Sequence, residues 1–363
     1  MKLRDLGLDS WFEKHVQALC GPEQSIARVV AVDRDRFVVH DGSGEFSAEL
    51  LGKFFYGAER ATEFPCVGDW VCLEHHDSDQ FSSIHAVLPR KTLMKRKASG
   101  YDDEFQLLAA NVDTALIVMA CDYDFHVRKL ERFLVLVNEG KVEPVLILTK
   151  TDLMDFEDIE DLIDDITEAG LQVKVLPLSN VTGEGLSAVQ ALIKPRETYC
   201  MLGSSGVGKT SLMNQLVGTN RFETQVVSAN GEGRHTTVRR HLMLLDNGAM
   251  LVDMPGIREL AVAEVSEGIE ESFEDIIQLA MSCRFSNCTH GNEDGCAINE
   301  AIENDELDID HFDNYLKIQK ESSHNNKKHI AIDKRKKGKN ASRLAESKTR
   351  NKRMRLNPSD YES

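Results

Sequence analysis

The spacing of apolar and polar residues changes character along the chain. Between residues 25 and 88, short apolar-rich runs alternate with turn signals: Ser25–Val32, Arg36–His40, Glu45–Leu51, Asp69–His75 and Ser82–Leu88, broken notably at Asp41-Gly42-Ser43-Gly44 and Gly68-Asp69. Runs of this kind bounded by Gly and Asp predict β-strands, and five of them in about 65 residues predict a small β-barrel, with the OB type as the leading expectation. From about residue 105 the period switches. Thr114–Ala120 and Val145–Thr149 are continuous apolar runs, as in strands buried on both faces. Between them, His126–Asn138 places Val127, Leu130, Phe133, Leu134 and Val137 at helical spacing. Phe156–Ala169 reads as an acidic amphipathic helix stopped by Gly170. Strands are then expected at Val173–Leu176 and Tyr199–Leu202, and helices at Leu186–Ile193 and Ser211–Val217. His241–Leu245 and Ala249–Asp253 predict a hairpin around Asp246-Asn247-Gly248. Such alternation predicts an α/β fold, a mostly parallel sheet with helices on both faces. Residues 1–24 read as a short helix and connector with Leu3, Leu6, Trp11 and Phe12 on one face, and Phe273–Ala280 and His311–Glu321 as late helices.

Composition sharpens this picture at three points. With 363 residues and 41% hydrophobic content, the chain has room for two or three cored domains. It contains no apolar run of about 18 residues, and Met1–Ser10 lacks the apolar core of a secretory signal, so a cytoplasmic protein without a membrane span is expected. The net charge of −17 is unevenly spread: residues 327–356 hold 13 of the 43 Lys and Arg and only two acids, leaving an acidic body and a basic tail. The tail, 322–363, has few large apolar residues and is expected to be a disordered, RNA-seeking arm rather than a solubilising appendage. Pro89–Gly100, with Arg90, Lys91, Lys95, Arg96 and Lys97, reads as a basic linker, either solvated or in contact with phosphate.

The sharpest chemical signal is Gly203-Ser204-Ser205-Gly206-Val207-Gly208-Lys209-Thr210, followed by Ser211, between a predicted strand and a predicted helix. This is the P-loop pattern. Its glycines let the backbone turn its N–H groups onto phosphate, the helix N-terminus adds partial positive charge, Lys209 is placed for the β and γ phosphates, and the Thr210 hydroxyl for Mg²⁺. Thr149-Lys150-Thr151-Asp152 ends a buried strand and resembles the Asn-Lys-x-Asp guanine motif with Thr in the Asn position. An ionised Asp152 accepts from guanine N1–H and N2–H together and rejects adenine, while the stem of Lys150 can lie over the base plane. Taken alone, the same residues are equally a turn opening a helix at Asp152. Ser179-Asn180-Val181 is a candidate second base loop. Asp253-Met254-Pro255-Gly256 matches the Asp-x-x-Gly element, with Asp253 serving Mg²⁺ through water and the Gly256 N–H sensing the γ-phosphate. Between it and the P-loop lies Gly231-Glu232-Gly233-Arg234-His235-Thr236-Thr237, suited to a switch loop. Of its threonines Thr237 is assigned to Mg²⁺ and Thr236 to the catalytic set, although the motif leaves open which one reaches the metal.

Of the eight cysteines, Cys283, Cys288 and Cys296 cluster with His290 at ligand spacing, a Cys₃His set fit for one closed, structural zinc. Cys20, Cys66, Cys72, Cys121 and Cys200 are scattered, and buried packing is expected for them.

The base motif and base loop precede the P-loop, the reverse of the ordinary GTPase order. With the barrel, the Gly-Arg-His-Thr-Thr switch sequence and the cysteine module, this resembles the circularly permuted GTPases that mature the small ribosomal subunit, the RsgA type, over about residues 25–320. The resemblance implies a circularly permuted P-loop GTPase domain with an N-terminal OB-type barrel and a C-terminal zinc-binding helical domain. The divisions are then an extension 1–24, barrel 25–90, linker 91–104, GTPase domain 105–262, zinc domain 263–321 and tail 322–363. It also implies a monomeric, cytoplasmic GTP hydrolase, using GTP/GDP, Mg²⁺ and one Zn²⁺, that binds the small (30S) subunit and its rRNA late in maturation. Hydrolysis would be stimulated by the subunit and linked to release. Ile257 follows Gly256 where many GTPases carry a water-positioning glutamine; by resemblance His235 takes that task, with Lys209, Thr236 and Gly256. The alternative is a non-catalytic RNA-binding module whose nucleotide site is a scaffold; an ATP-using enzyme is a third, if Asp152 only caps a helix.

Overall fold

The computed structural model describes residues 1–33, 36–52, 61–75, 82–97, 105–122, 125–218, 240–254, 269, 272–285, 288–291, 293–304 and 306–320. Five strands, β1 (Ser25–Asp33), β2 (Arg36–His40), β3 (Glu45–Leu50), β4 (Trp70–Glu74) and β5 (Ser82–Val87), fall where the alternating runs predict them. They pair β1–β2–β3–β5–β4 and β4 returns to β1, so the sheet closes, with the β3–β5 contact its one parallel step. Ala27, Val29, Phe37, Val39, Ala48, Val71, Leu73 and Ile84 fill the interior. This is the closed, five-stranded barrel expected.

Two further strands, β6 (Leu93–Lys97) and β7 (Phe105–Ala110), form an antiparallel hairpin. The stretch read as a linker therefore contains a strand. Only the strand's first two residues, Leu93 and Met94, are apolar, and Met94 is fully buried in the main core, a signal that the density of lysine and arginine concealed.

The larger sheet runs β10 (Lys174–Leu178), β9 (Glu143–Thr149), β8 (Thr114–Ala120), β11 (Thr198–Leu202), β13 (Met250–Asp253), β12 (His241–Leu244), parallel except for β12. Every residue of β8 and β11 is buried, which accounts for their unbroken apolar runs. Helices α1 (Ser10–Leu19), α2 (Val127–Glu139) and α3 (Phe156–Glu168) pack on the core of one face, α4 (Leu186–Leu192) and α5 (Lys209–Val217) on the core of the other. A bridge between Ala31 of β1 and His241 of β12 makes barrel and sheet continuous.

The N-terminal segment plugs the junction. Asp9 caps α1, accepting from the N–H groups of Trp11 and Phe12 at 3.0 and 3.2 Å, and Leu6, Leu8 and Phe12 enter the core. Beneath them lies Arg28 of β1, fully enclosed. It donates to the carbonyls of Gly68 (3.2 Å), Leu6 (2.6 Å) and Asn111 (3.2 Å), to the Thr198 hydroxyl (2.9 Å) and to Met250 Sδ (3.0 Å). Burial lowers its pKa to about 10, against the pull of Asp113 and Asp69, so it stays charged at neutral pH. Cys20 and Cys72 form a disulfide between the end of α1 and β4. This corrects the expectation of plain packing for those two; their 52-residue separation gave no hint of contact. Cys66, Cys121 and Cys200 are buried free thiols, as expected.

The C-terminal module contains α6 (Glu274–Met281), α7 (Ala297–Glu303) and α8 (309–320). Its core of Phe273, Ile276, Ile298, Ala301, Phe312 and Ile318 also takes in Val135 of α2. Among the described residues, no helix is long and apolar enough to cross a membrane.

Candidate active site and metal centre

The parallel strands β9, β10, β11 and β13 all end at one edge of the sheet, and the predicted nucleotide residues gather there. The P-loop leaves β11 through Gly203, whose φ is +141° and whose added Cβ would lie 2.2 Å from the Val118 carbonyl oxygen. Only glycine fits that approach. Gly208, φ +94°, precedes α5 at its N-cap position; a Cβ there would stand 2.6 Å from Asn180 Nδ2. The loop thus curls over the end of β8 with its backbone close against the loop after β10. Lys209 folds back into it, its Nζ donating to the carbonyls of Gly203 at 2.8 Å and Ser204 at 2.5 Å. Ser204, Ser205, Gly206, Thr210 and Ser211 are half-buried or exposed around it, and Val207 is anchored in the core beneath.

The early half of the chain meets this loop directly. Thr149, fully buried at the end of β9, donates its hydroxyl to the Val207 carbonyl at 2.5 Å, with the Met119 carbonyl further off at 3.2 Å. Asn180 Nδ2 donates to the Gly208 carbonyl at 3.3 Å, and Gln215 of α5 donates to the Asn180 carbonyl at 2.9 Å. Asn180 Oδ1 is buried without a partner. Asp152 is exposed on the turn after β9, and its Oδ1 accepts from the Ser179 hydroxyl at 2.6 Å. The Ser179 N–H is taken by the Glu184 carbonyl at 3.0 Å, and its oxygen in turn accepts from the N–H groups of Val181 and Thr182. Lys150 sits in left-handed backbone, φ +63°, and its Nζ pairs with Asp122 Oδ2 at 2.8 Å. Asp253, half-buried, closes β13 next to the P-loop strand. Lys150, Asp152, Ser179, Asp253 and the 203–211 loop are therefore brought to one edge. His235, Thr236, Thr237 and Gly256 lie outside the described residues.

Sequence reasoning missed Asp122 as part of this site, and it named Asn180 only as a member of the candidate base loop, without its tie to the P-loop. Asp122 follows the strand β8 and belongs to no motif; its one signal is a carboxylate at the C-terminal end of a buried parallel strand, where such sheets carry their sites.

The metal centre is separate. Cys283 follows α6, Cys296 caps α7, and Cys288 and His290 come from the loop between. One ligand atom from each of the four lies within 4.8 Å of all the others. His290 Nδ1 is 3.6 Å from both Cys283 Sγ and Cys296 Sγ. Tetrahedral zinc with bonds near 2.3 Å spaces its ligand atoms about 3.8 Å apart, so soft donor type and spacing both fit that ion. Phe312 of α8 packs edge-on to the His290 ring.

Behind the centre is a polar cluster that periodicity did not suggest. Glu131 of α2, fully buried, accepts from Arg128 Nη1 at 2.7 Å, from His311 Nδ1 at 2.6 Å and from the Asn314 amide. His311 Nε2 also stands 3.3 Å from Asp275. Burial alone would depress the His311 pKa, but hydrogen bonds and charge from Asp275 and Glu131 outweigh it and push it up to about 9.

Comparison with known proteins agrees with this arrangement. An RsgA GTPase family profile matches residues 87–263, and a 50S ribosome-binding GTPase profile residues 198–332. The chain is 36% identical over 335 residues to a small ribosomal subunit biogenesis GTPase RsgA of Opitutus terrae, covering 89% of this chain and 90% of that one. A relative of the same name from Methanosarcina acetivorans is 38% identical over 271 residues, 74% of this chain and 73% of its own. Among solved structures, YjeQ from Thermotoga maritima superposes with a TM-score of 0.61 at 26% identity, over 82% of this chain and 98% of that one. YloQ, a circularly permuted GTPase, shares the fold with a TM-score of 0.57 at 22% identity, over 84% and 96%. Permuted motif order, closed barrel and Cys₃His cluster all point the same way, and the chain belongs to the RsgA family of small ribosomal subunit biogenesis GTPases.

Proposed function

We propose that this chain binds GTP at the edge where β9, β10, β11 and β13 end, and hydrolyses it on the small ribosomal subunit during late maturation. One observation carries the reading: Thr149 and Asn180, from the early half, hydrogen-bond the carbonyls of Val207 and Gly208 in the P-loop. The base-reading loops and the phosphate loop are thereby locked at a set separation, as one nucleotide spanning both requires.

In this reading Asp152 accepts from the guanine N–H groups, and Ser179 holds that carboxylate in place. Asn180 offers the base its buried, unpaired side-chain Oδ1 and its backbone N–H. Lys150, braced by Asp122, lays its stem along the base. The N–H groups of Gly203–Thr210 and the N-terminus of α5 face the phosphates. Lys209 already has its ammonium inside the loop and exchanges neutral carbonyl partners for charged phosphate oxygens when nucleotide enters. Thr210, Asp253 and Thr237 are the set to hold Mg²⁺, which when bound neutralises charge on the phosphates. The oxygen donors at the loop and at the end of β13 suit that hard ion. His235 is assigned to orient the attacking water, with Thr236 and the Gly256 N–H at the γ-phosphate.

The four ligands Cys283, Cys288, His290 and Cys296 hold one structural zinc that braces the C-terminal helices. With the barrel and the basic tail, that module contacts rRNA. A monomer acting in the cytoplasm is the matching state.

The test is nucleotide choice followed by stimulation. Wild type should prefer GDP over ADP, and Asp152→Asn should lower GDP affinity about 10–100-fold by removing charged acceptors. Hydrolysis should rise when purified small subunits are added. Equal binding of ADP and GDP would sink the guanine assignment, and unstimulated turnover would sink the ribosomal one.

A further inference from the structure

Two guanidinium groups meet beside the β6–β7 hairpin, apart from both sites above. Arg96 of β6 donates through Nε to Gln106 Oε1 at 2.9 Å. Arg240 donates through Nη1 to the carbonyl of the next residue of β7, Leu107, at 3.0 Å. Consecutive residues of one strand therefore hold two half-buried cations side by side. The Arg240 Nε–H is buried and lacks an acceptor. Among the described residues its ionisable neighbours are Arg96 and the Cys66 thiol, and none is a carboxylate. Burial, then the Arg96 charge, hold its pKa below the usual guanidinium range. Nearby in this stretch, Arg90 is paired with Asp69 at 2.7 Å, Lys91 with Asp9, and Lys95 with Glu139 at 3.7 Å. An orphaned buried donor next to a like charge is unfavourable in itself and becomes favourable once an oxyanion is shared between the two forks.

We propose that Arg96 and Arg240 form a seat for a backbone phosphodiester of RNA, and that its occupancy is transmitted to the nucleotide site. The second half of this statement rests on the function proposed above. The transmission is topological. Arg240 comes three residues after Thr237, the end of the Gly231–Thr237 run, and immediately precedes β12. His241, the first residue of β12, pairs with Asp253 of β13 and, on the other edge, with Ala31 of the barrel. A phosphate gripped by Arg240 thus fixes the strand that joins the switch sequence to Asp253, at the point where the barrel is attached. Arg96 supplies the second charge from the hairpin, so the seat is complete only while Arg240 stays bound to the Leu107 carbonyl of that hairpin.

The test uses the full chain with Arg96→Gln, Arg240→Gln, the double variant and both Arg→Lys variants. Binding to purified small ribosomal subunits and to a plain duplex RNA is measured across a salt series, with GDP affinity and thermal melting to monitor the fold. Each Gln substitution should lower the salt slope by about one and weaken subunit binding about tenfold. The Lys variants should keep the slope while losing part of the affinity, because the charge survives and the fork does not. The double variant should also lose stimulated hydrolysis at saturating subunit. An unchanged slope and affinity in the double variant, with GDP binding intact, overturns the seat. So does a wild type that binds neither subunits nor duplex RNA. Competition by millimolar inorganic phosphate alone makes it a free-anion site and overturns the RNA assignment. If wild type binds subunits without stimulation while the slopes still fall, the seat stands and the hydrolytic reading fails. Should Arg240→Gln melt early, Arg96→Gln alone decides, since its bond to Gln106 lies within the hairpin.

Discussion

Single residues explain why an unusual base motif still builds a nucleotide edge. In Thr149-Lys150-Thr151-Asp152 the first position is a buried hydroxyl rather than an amide, and its donor goes to the P-loop carbonyl of Val207. Thr149→Val keeps the shape and removes that donor, leaving a buried acceptor unmade. Urea unfolding should then show a loss of about 1–3 kcal/mol, accompanied by weaker GDP binding; unchanged values would mean the tie is incidental. Gly203→Ala should be worse, because a methyl group would collide with the Val118 carbonyl at 2.2 Å in a backbone conformation that disfavours side chains. Its expected signature is lost nucleotide binding at lowered stability, checked by GDP titration beside a thermal melt. Glycine spacing and Lys209 made the P-loop legible without coordinates. The partners of Asp152 and Lys150 were less so: Ser179 is readable as part of a base loop, but not that its hydroxyl donates to the Asp152 carboxylate. Asp122 belonged to no motif, and a contact across 28 residues leaves no periodic trace.

At the scale of elements, most strands and helices lie within a residue or two of where alternation and helical spacing put them. The exceptions share a cause. The strand β6 was hidden because only Leu93 and Met94 of its five residues are apolar and the three basic residues after them read as a solvated connector. On α2 the apolar stripe through Leu130, Phe133 and Val137 was readable, but Glu131 and Val135 lie beside it and meet the C-terminal module. A charged residue on the flank of an amphipathic helix reads as solvent-facing, and tertiary contact overrode that. The Glu131–His311–Asp275 cluster gives this junction a pH dependence with a definite sign. The His311 pKa in the fold, about 9, exceeds the 6.5 of an ordinary imidazole. The folded state therefore binds the extra proton between those values. The contribution, at most about 3 kcal/mol, is complete below pH 6.5 and fades as pH rises through 9. Denaturant melts at pH 6 and pH 9.5 should differ in that direction, and His311→Asn should flatten the difference. Equal slopes in both proteins would remove His311 from the account.

For the whole molecule, the reading of a barrel, a permuted α/β unit and a metal-bearing helical module was available from motif order and ligand spacing. What could not be read was how they join, because Arg28, the Cys20–Cys72 bridge and the Ala31–His241 pairing link residues far apart in sequence. Zinc removal probes the division. A strong chelator should release one ion per chain, and the helical core around Phe273 and Phe312 should then open, since binding energy of this kind is folding energy. Amide exchange should rise across residues 272–320 while β8, β9 and β11 stay protected. Uniform exposure of the chain would instead make the metal a global determinant.

Arg28 has a practical corollary. The strands leading to the phosphate loop and to Asp253 begin at Thr198 and Met250, and one side chain from the N-terminal third clasps both. A fragment starting near residue 90 would thus lose more than an appendage. It would bare the Thr198 hydroxyl and the Asn111 carbonyl on a face meant to be dry, and the excised nucleotide-binding half should be poorly soluble unless that bolt is replaced.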